Sequence, residues 1–270
     1  MLPVHAAPPN AWNNTVNYFK HIFAVAEADV RKLRHDPWEL FTRMVQPMLW
    51  LLIFGEVFTR AHVIPTGSMS YLDFITPGIL AQSVLFVAIF YGVSVIWERD
   101  LGILHKMLVS PTPRSALVLG RALSSGVRGL SQGVVVYAIA AMLGVDLRIS
   151  FGSVLGVIVA VMAGAAIFST FSLIAACIVK TRERFMGIGQ VLTMPLFFAS
   201  NAIYPIDMMP QWLRHVAAVN PLSYEVDALR TLMINGGISS FGLEADFVVQ
   251  GLALTVLVAI ATRLYPTLVN

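Results

Sequence analysis

Apolar residues run through this chain in long blocks separated by short polar patches, and the blocks set its architecture. Between Phe74 and Trp97 there is no Asp, Glu, Lys or Arg. As a helix that stretch would be about 36 Å long, enough to cross a bilayer with some tilt. Five further blocks have the same character: about Met44–Phe58, about Ala122–Val145, a block within Phe151–Val179, roughly Phe185–Ile203 and about Phe247–Tyr265. In hydrocarbon every backbone N–H and C=O must find its partner within the segment, so all six are predicted to be helices. Ahead of them Val16, Phe19, Phe23, Ala26, Val30 and Leu33 recur in steps of three and four, while Lys20, His21, Glu27, Arg31 and Lys32 fall elsewhere on the wheel. This is the pattern of an amphipathic interfacial helix with a basic side, ended by Pro37. The predicted fold is an all-α integral membrane protein: an N-terminal part, 1–40, with the amphipathic helix, then a domain, 41–270, with six transmembrane helices.

Two stretches break the alternation. From Trp97 to Ala122 the chain becomes a polar island carrying Glu98, Arg99, Asp100, His105, Lys106, Arg114 and Arg121. Each charge at a bilayer centre costs about 2.5–3.5 kcal/mol or more, so the island is placed outside the lipid. Leu101, Leu104 and Leu108 still recur at helical spacing before Pro111 and Pro113 stop the run. A short amphipathic helix between two spans is a surface on which a soluble partner can push; the alternative is a solvated loop, and length, pattern and proline stop favour the helix. The second stretch, Tyr204–Asp246, is too apolar for a simple loop. Pro205, Pro210 and Pro221 cut it into pieces of roughly ten residues, the size of re-entrant or interfacial helices. Met208, Trp212, Leu213, Val216 and Val219 give the Pro210–Val219 piece an apolar face. Ser223 is the expected N-cap of a helix to Ile234, with Glu225 and Asp227 near its positive end. Asp227 and Arg230, three apart, are expected to pair with each other or with the adjoining helix.

Composition sharpens this. The chain is 57% hydrophobic and 12% charged, with a mean hydropathy of +0.75, which a soluble domain could not cover. Twelve of its eighteen Lys and Arg lie in the N-terminal part continued to Arg43, the island and the loop around Lys180, Arg182 and Arg184. The positive-inside rule places those twelve, and both termini, in the cytoplasm. The cations flank apolar spans, so the isoelectric point near 9.2 reflects topology and no nucleic-acid partner is expected. None of the four lysines, Lys20, Lys32, Lys106 and Lys180, follows a glycine, so the chain carries no Gly-Lys-Ser/Thr phosphate loop. There is no His-Glu-x-x-His motif, and a single cysteine, Cys177, allows no intramolecular disulfide; no metal or catalytic site is expected. Among ionisable residues within spans, Arg128 could face a polar cavity or snorkel to the interface, and Glu56 near the far end of the first block poses the same choice. Gly152, Gly156, Ala160 and Gly164, each four apart, predict a close helix contact, either between subunits or within one.

Three patches give the chain a resemblance to the membrane subunits of type-2 ABC exporters, in the style of the daunorubicin-exporter and nodulation-lipooligosaccharide-exporter subgroup. Phe74-Ile-Thr-Pro-Gly78 opens the second span as in that family. Glu98-Arg99-Asp-Leu101-Gly102-Ile-Leu104, continuing through Leu108 to Pro111, is similar to the family's cytoplasmic coupling helix between spans two and three. Asn201, Tyr204, Pro205, Pro210, Asn220, Pro221, Tyr224, Asp227 and Arg230 match its pattern of short external helices between spans five and six. The resemblance implies a permease subunit in a prokaryotic plasma (inner) membrane, paired with a second copy of itself and two cytoplasmic ATPase subunits that hold the ATP and magnesium; this chain would carry no cofactor. It implies export of an amphipathic drug, lipid or glycoconjugate by alternating access. A membrane-embedded lipid-modifying enzyme is the competing class, but it should show His, Asp or Glu clustered near one interface, and none cluster so. A secondary transporter is weaker still.

Overall fold

A computed structural model describes residues 18–24, 26–27, 31, 42, 45–61, 64–67, 69–102, 113–179 and 181–268. Within them all regular structure is helical, apart from one isolated antiparallel bridge between Leu147 and Ile234. A π-helical turn, Trp50–Gly55, runs into α1 (Glu56–Ala61). There follow α2 (Tyr71–Asp100), α3 (Arg114–Met142), α4 (Phe151–Ile178) and α5 (Arg182–Phe198). A 3-10 turn, Ile206–Met208, leads to α6 (Gln211–Val219) and α7 (Pro221–Met233). The chain closes with α8 (Leu243–Leu264) and a 3-10 turn, Tyr265–Leu268. Among the described residues α2, α4 and the Leu243–Leu268 stretch are long and apolar enough to cross a membrane. α3 is long, but its inward face carries Arg121, Ser124, Ser125 and Gln132, and α5 has only 17 residues.

α2 is the axis of the bundle: 72% of its apolar window is buried, against 50% for α4 and 11% for α8, which leaves α8 mostly facing outward. It outruns the charge-free stretch at both ends because a capping box fixes its start. The Ser70 hydroxyl accepts from the Asp73 amide at 3.1 Å, and the Asp73 carboxylate accepts from the Ser70 amide. Ile75, Ile79, Leu80, Val84 and Leu85 of α2 are fully buried against α3, α4 and α7. A second apolar cluster closes the Asp100 end of the bundle, where Val95 and Ile96 meet Leu117, Leu173, Phe185 and Tyr265.

The stripe of small residues on α4 packs within this chain. A Cβ on Gly156 would meet the Leu232 side chain at 2.8 Å, and one on Gly164 would lie 2.1 Å from the Glu225 carboxyl carbon, both on α7; Ala160 is fully buried and Gly152 faces open space. Glu225 is itself fully buried, with both carboxylate oxygens lacking a partner. Gly164→Ala is therefore expected to destabilise the bundle by about 1–3 kcal/mol through overpacking. Thermal unfolding in detergent checks this, and Glu225→Ala should recover most of the loss in the double variant.

The structure corrects two helix starts and shows the shape of the first block. The third block begins at Arg114 instead of Ala122, because Arg121 is buried and paired with Glu98 and so does not need water. The helix expected to start at Ser223 begins at Pro221: the Asn220 side chain accepts from the Leu222 amide at 3.1 Å, and Pro221 takes the first helical position, where no N–H is needed. Glu225 and Asp227 consequently lie beyond the first turn and are buried. The first apolar block is shaped by a π turn followed by a short α-helix, with Glu56 half-buried and paired to Arg60 at 2.7 Å.

The N-terminal amphipathic stretch is helical where described. Its apolar side divides: Ile22 and Ala26 are buried against the body while Phe19 and Phe23 face outward, and the Tyr18 hydroxyl donates to Ser115 Oγ at 3.0 Å.

Candidate functional site

The described residues of the three motif patches collect at the two ends of α2. At the Ser70 end, Asp227 of α7 is the hub. Its Oδ1 accepts from Asn201 Nδ2 at 2.8 Å and from Arg230 Nη1 at 3.4 Å; its Oδ2 accepts from the Ser239 hydroxyl at 3.0 Å and from the amides of Ser240 and Phe241. Asp227 is fully buried and Arg230 nearly so, which makes this a desolvated ion pair inside a hydrogen-bonded shell. Arg230 also donates to the Asn201 carbonyl at 2.7 Å and lies 4.0 Å over the Phe74 ring. Asp227 and Arg230 thus pair as their spacing predicts. Ser239, Ser240 and Phe241 were not legible as their partners, because a turn with no charge or periodicity supplies them.

The same end explains the other motif residues. Gly78 lets α2 touch the turn after α5, since a Cβ there would lie 2.4 Å from the Ala202 carbonyl oxygen. Asn220 donates to the carbonyls of Leu196 and Ala199 at 2.7 and 3.1 Å, tying the end of α5 to the start of α7. Tyr204 donates to the Phe198 carbonyl, and Tyr224 to that of Ala218 at 2.6 Å. Burial, followed by the nearby Asp246 and Asp227 carboxylates, raises the Tyr224 phenol above its ordinary value, so it stays protonated as a donor. Pro205 and Pro210 precede the 3-10 turn and α6. On α6 Trp212, Val216 and Val219, with Met208 before it, are exposed, giving the apolar outward face its sequence predicts. A cleft of about 580 Å³ opens beside the hub, with Thr66, Phe74, Asn201, Arg230 and Phe241 in its wall.

At the Asp100 end, Glu98 of α2 receives a hydrogen bond from Arg121 of α3, both side chains being buried. The next turn is exposed and charged: Asp100 pairs with Arg99 at 3.1 Å and with Arg182 of α5 at 2.8 Å, and the Arg182 guanidinium stacks 4.2 Å over Trp97. Leu101 is 69% exposed, and Gly102 ends the helix with a φ of +70°, a conformation that favours glycine. Leu104, Leu108 and Pro111 lie outside the described residues. Arg128, farther along α3, sits 5.1 Å from the Tyr91 ring centroid.

With this geometry in place, comparison with known proteins is specific. The profile of the ABC-2 type transporter family matches residues 20–234. The chain is similar to the putative transport permease ycf38 of Cyanophora paradoxa, 28% identical over 223 residues, covering 80% of this chain and 74% of the relative. It is 27% identical over 207 residues to the daunorubicin resistance ABC transporter permease protein DrrB1 of Streptomyces coeruleorubidus, covering 74% and 70% of the two chains. Similarity to nodulation protein J of Rhizobium meliloti (strain 1021) is lower, 23% over 249 residues, but extends over 90% of this chain and 89% of that one.

Proposed function

The chain belongs to the ABC-2 type transporter family and is an ABC transporter permease, and on that premise we propose that it forms, as a pair of identical subunits, the translocation path of an ATP-driven exporter. The observation that carries this reading is that the Asn201, Asp227 and Arg230 cluster and the described part of the second patch, Glu98–Gly102, lie at opposite ends of one buried helix, α2. The Asp227–Arg230 hub is the outer lid over the exit path, and Glu98–Pro111 is the cytoplasmic segment on which a separate ATPase subunit acts. Two such ATPases supply ATP and magnesium, which this chain lacks the phosphate loop to hold. The apolar blocks support six spans and the cation distribution supports both termini in the cytoplasm; the membrane on this reading is a prokaryotic inner membrane. The cargo is an amphipathic drug, lipid or glycoconjugate, and the daunorubicin resistance named for one permease relative supports the drug class.

Two measurements test the reading. The purified chain alone is expected to hydrolyse no ATP, and appreciable turnover free of any co-purified ATPase refutes the division of labour. In a functional single-cysteine series, a membrane-impermeant reagent added from outside is expected to label Gln211→Cys and to leave Arg182→Cys untouched; the reverse pattern overturns the orientation.

A further inference from the structure

A second cleft, of about 270 Å³, lies halfway along the bundle and far from both ends of α2. Gln46 and Pro47 line one side, Ser83, Phe86 and Phe90 of the 30-residue α2 a second, and Gln132 of α3 a third. Gln132 is 1% exposed, and neither its amide nitrogen nor its amide oxygen has a hydrogen-bond partner. A primary amide buried so deeply normally satisfies both its donor and its acceptor. Ser83 spends its proton on the Ile79 carbonyl at 2.8 Å, leaving only lone pairs to offer the cleft. Phe86 and Phe90 stack with their ring centroids 6.0 Å apart and form an apolar wall. Among the described residues no ionisable side chain lines the space.

We propose that this cleft is a binding subsite for an uncharged amphipath, recognised by Gln132 through one group that both donates and accepts a hydrogen bond, a hydroxyl or carboxamide, with its apolar part against Phe86 and Phe90. This rests on the exporter reading and narrows its cargo to molecules with a neutral polar group. A carboxylate, sulfate or ammonium would enter a low-dielectric site whose described lining offers no counter-charge, and is rejected. The volume is nearly twice the roughly 150 Å³ that accommodates one benzene ring, so it admits a short alkyl segment or a fused ring pair, with the rest of a larger molecule extending outward.

The test uses the full chain in lipid nanodiscs without nucleotide and a diazirine-bearing octanol as photoprobe. Adducts are expected on peptides spanning 42–47, 83–90 or 132, with competition by octanol and octanamide but not by octane, octyl sulfate or octyltrimethylammonium. Gln132→Leu keeps the volume and removes both hydrogen-bonding groups. It is expected to cut labelling about five- to tenfold, the loss of a hydrogen bond or more, while its melting temperature stays level or rises because the unpaired amide is gone. Gln132→Asn, which keeps the amide on a shorter arm, should retain part of the labelling. Labelling elsewhere, equal competition by octane, or wild-type labelling in Gln132→Leu overturns the subsite. Because no ATPase takes part, binding that behaves as described in a chain that supports no ATP-dependent export would refute the exporter reading and leave the subsite standing.

Discussion

Asp227→Ala is expected to lower the stability of the chain by about 3–5 kcal/mol, a fall in melting temperature on the order of 10 °C. The residue is fully buried and accepts from Asn201, Arg230, Ser239, Ser240 and Phe241. Its removal leaves the Arg230 charge in the interior beside the Phe74 ring with no opposite charge. Asp227→Asn keeps the shape but turns an amide nitrogen toward groups that are already donors, so it should recover little. Arg230→Met in the Asp227→Asn background removes the stranded cation and is expected to be less damaging than the two single effects added together. Thermal unfolding in detergent reads all four proteins. If Arg230→Ala left stability untouched and changed only which cargo is exported, the ion pair would be a cargo contact and its structural role would be wrong.

Leu104→Asp is expected to have the largest effect on transport. On the proposed reading Leu101, Leu104 and Leu108 enter a groove on the ATPase, and burying one leucine there is worth about 1.5–3 kcal/mol. An aspartate would bring an unpaired charge into the same groove, so affinity should fall about tenfold or more, and export with it. Insertion and melting temperature should match the wild type, because the position is placed outside the lipid. Pull-down of the ATPase beside a transport assay distinguishes this from a passive loop, in which both would be unchanged. Gly102 is a poorer probe than its size suggests. At a φ of +70° any other residue strains the backbone, so a bulky substitution there alters the path of the chain as well as its bulk.

The pattern of apolar blocks made the helical class and most helix positions legible, because lipid and interior both demand the same thing of the backbone. It misplaced the start of α3 because charge was counted along one dimension. Arg121 looks like a residue that must reach water, yet its partner Glu98 lies on the preceding helix and lets it stay buried. The start of α7 was missed for a local reason: Pro221 reads as a breaker, but it also suits the first turn of a helix capped by Asn220. The glycine stripe announced a close contact without naming its partner, since nothing in α4 points to Glu225 and Leu232 on α7. The i, i+3 spacing was enough to pair Asp227 with Arg230, whereas the turn at 239–241 that completes their shell comes from a stretch with no charge. Gln132 was invisible for a different reason: one amide in an apolar block carries no periodicity, and its importance lies in what it fails to bond to.

α2 is also a lever. Thirty residues at helical rise give it a length of about 45 Å, and it is held at one end by the Arg230 contact with Phe74 and at the other by Glu98 and Arg121. A tilt of about 10° around the first anchor at Phe74 sweeps the second at Glu98, about 36 Å along the helix, through about 6 Å, about the width of a side chain. The fulcrum lies beside Pro77, whose ring removes one backbone hydrogen bond from the first turns of the helix, while the long remainder is free of proline. On the proposed exporter reading, a small angular opening at the lid and a larger lateral stroke at the Asp100 end would be one motion seen from two places, with the mechanical advantage fixed by where along the rod the pivot sits.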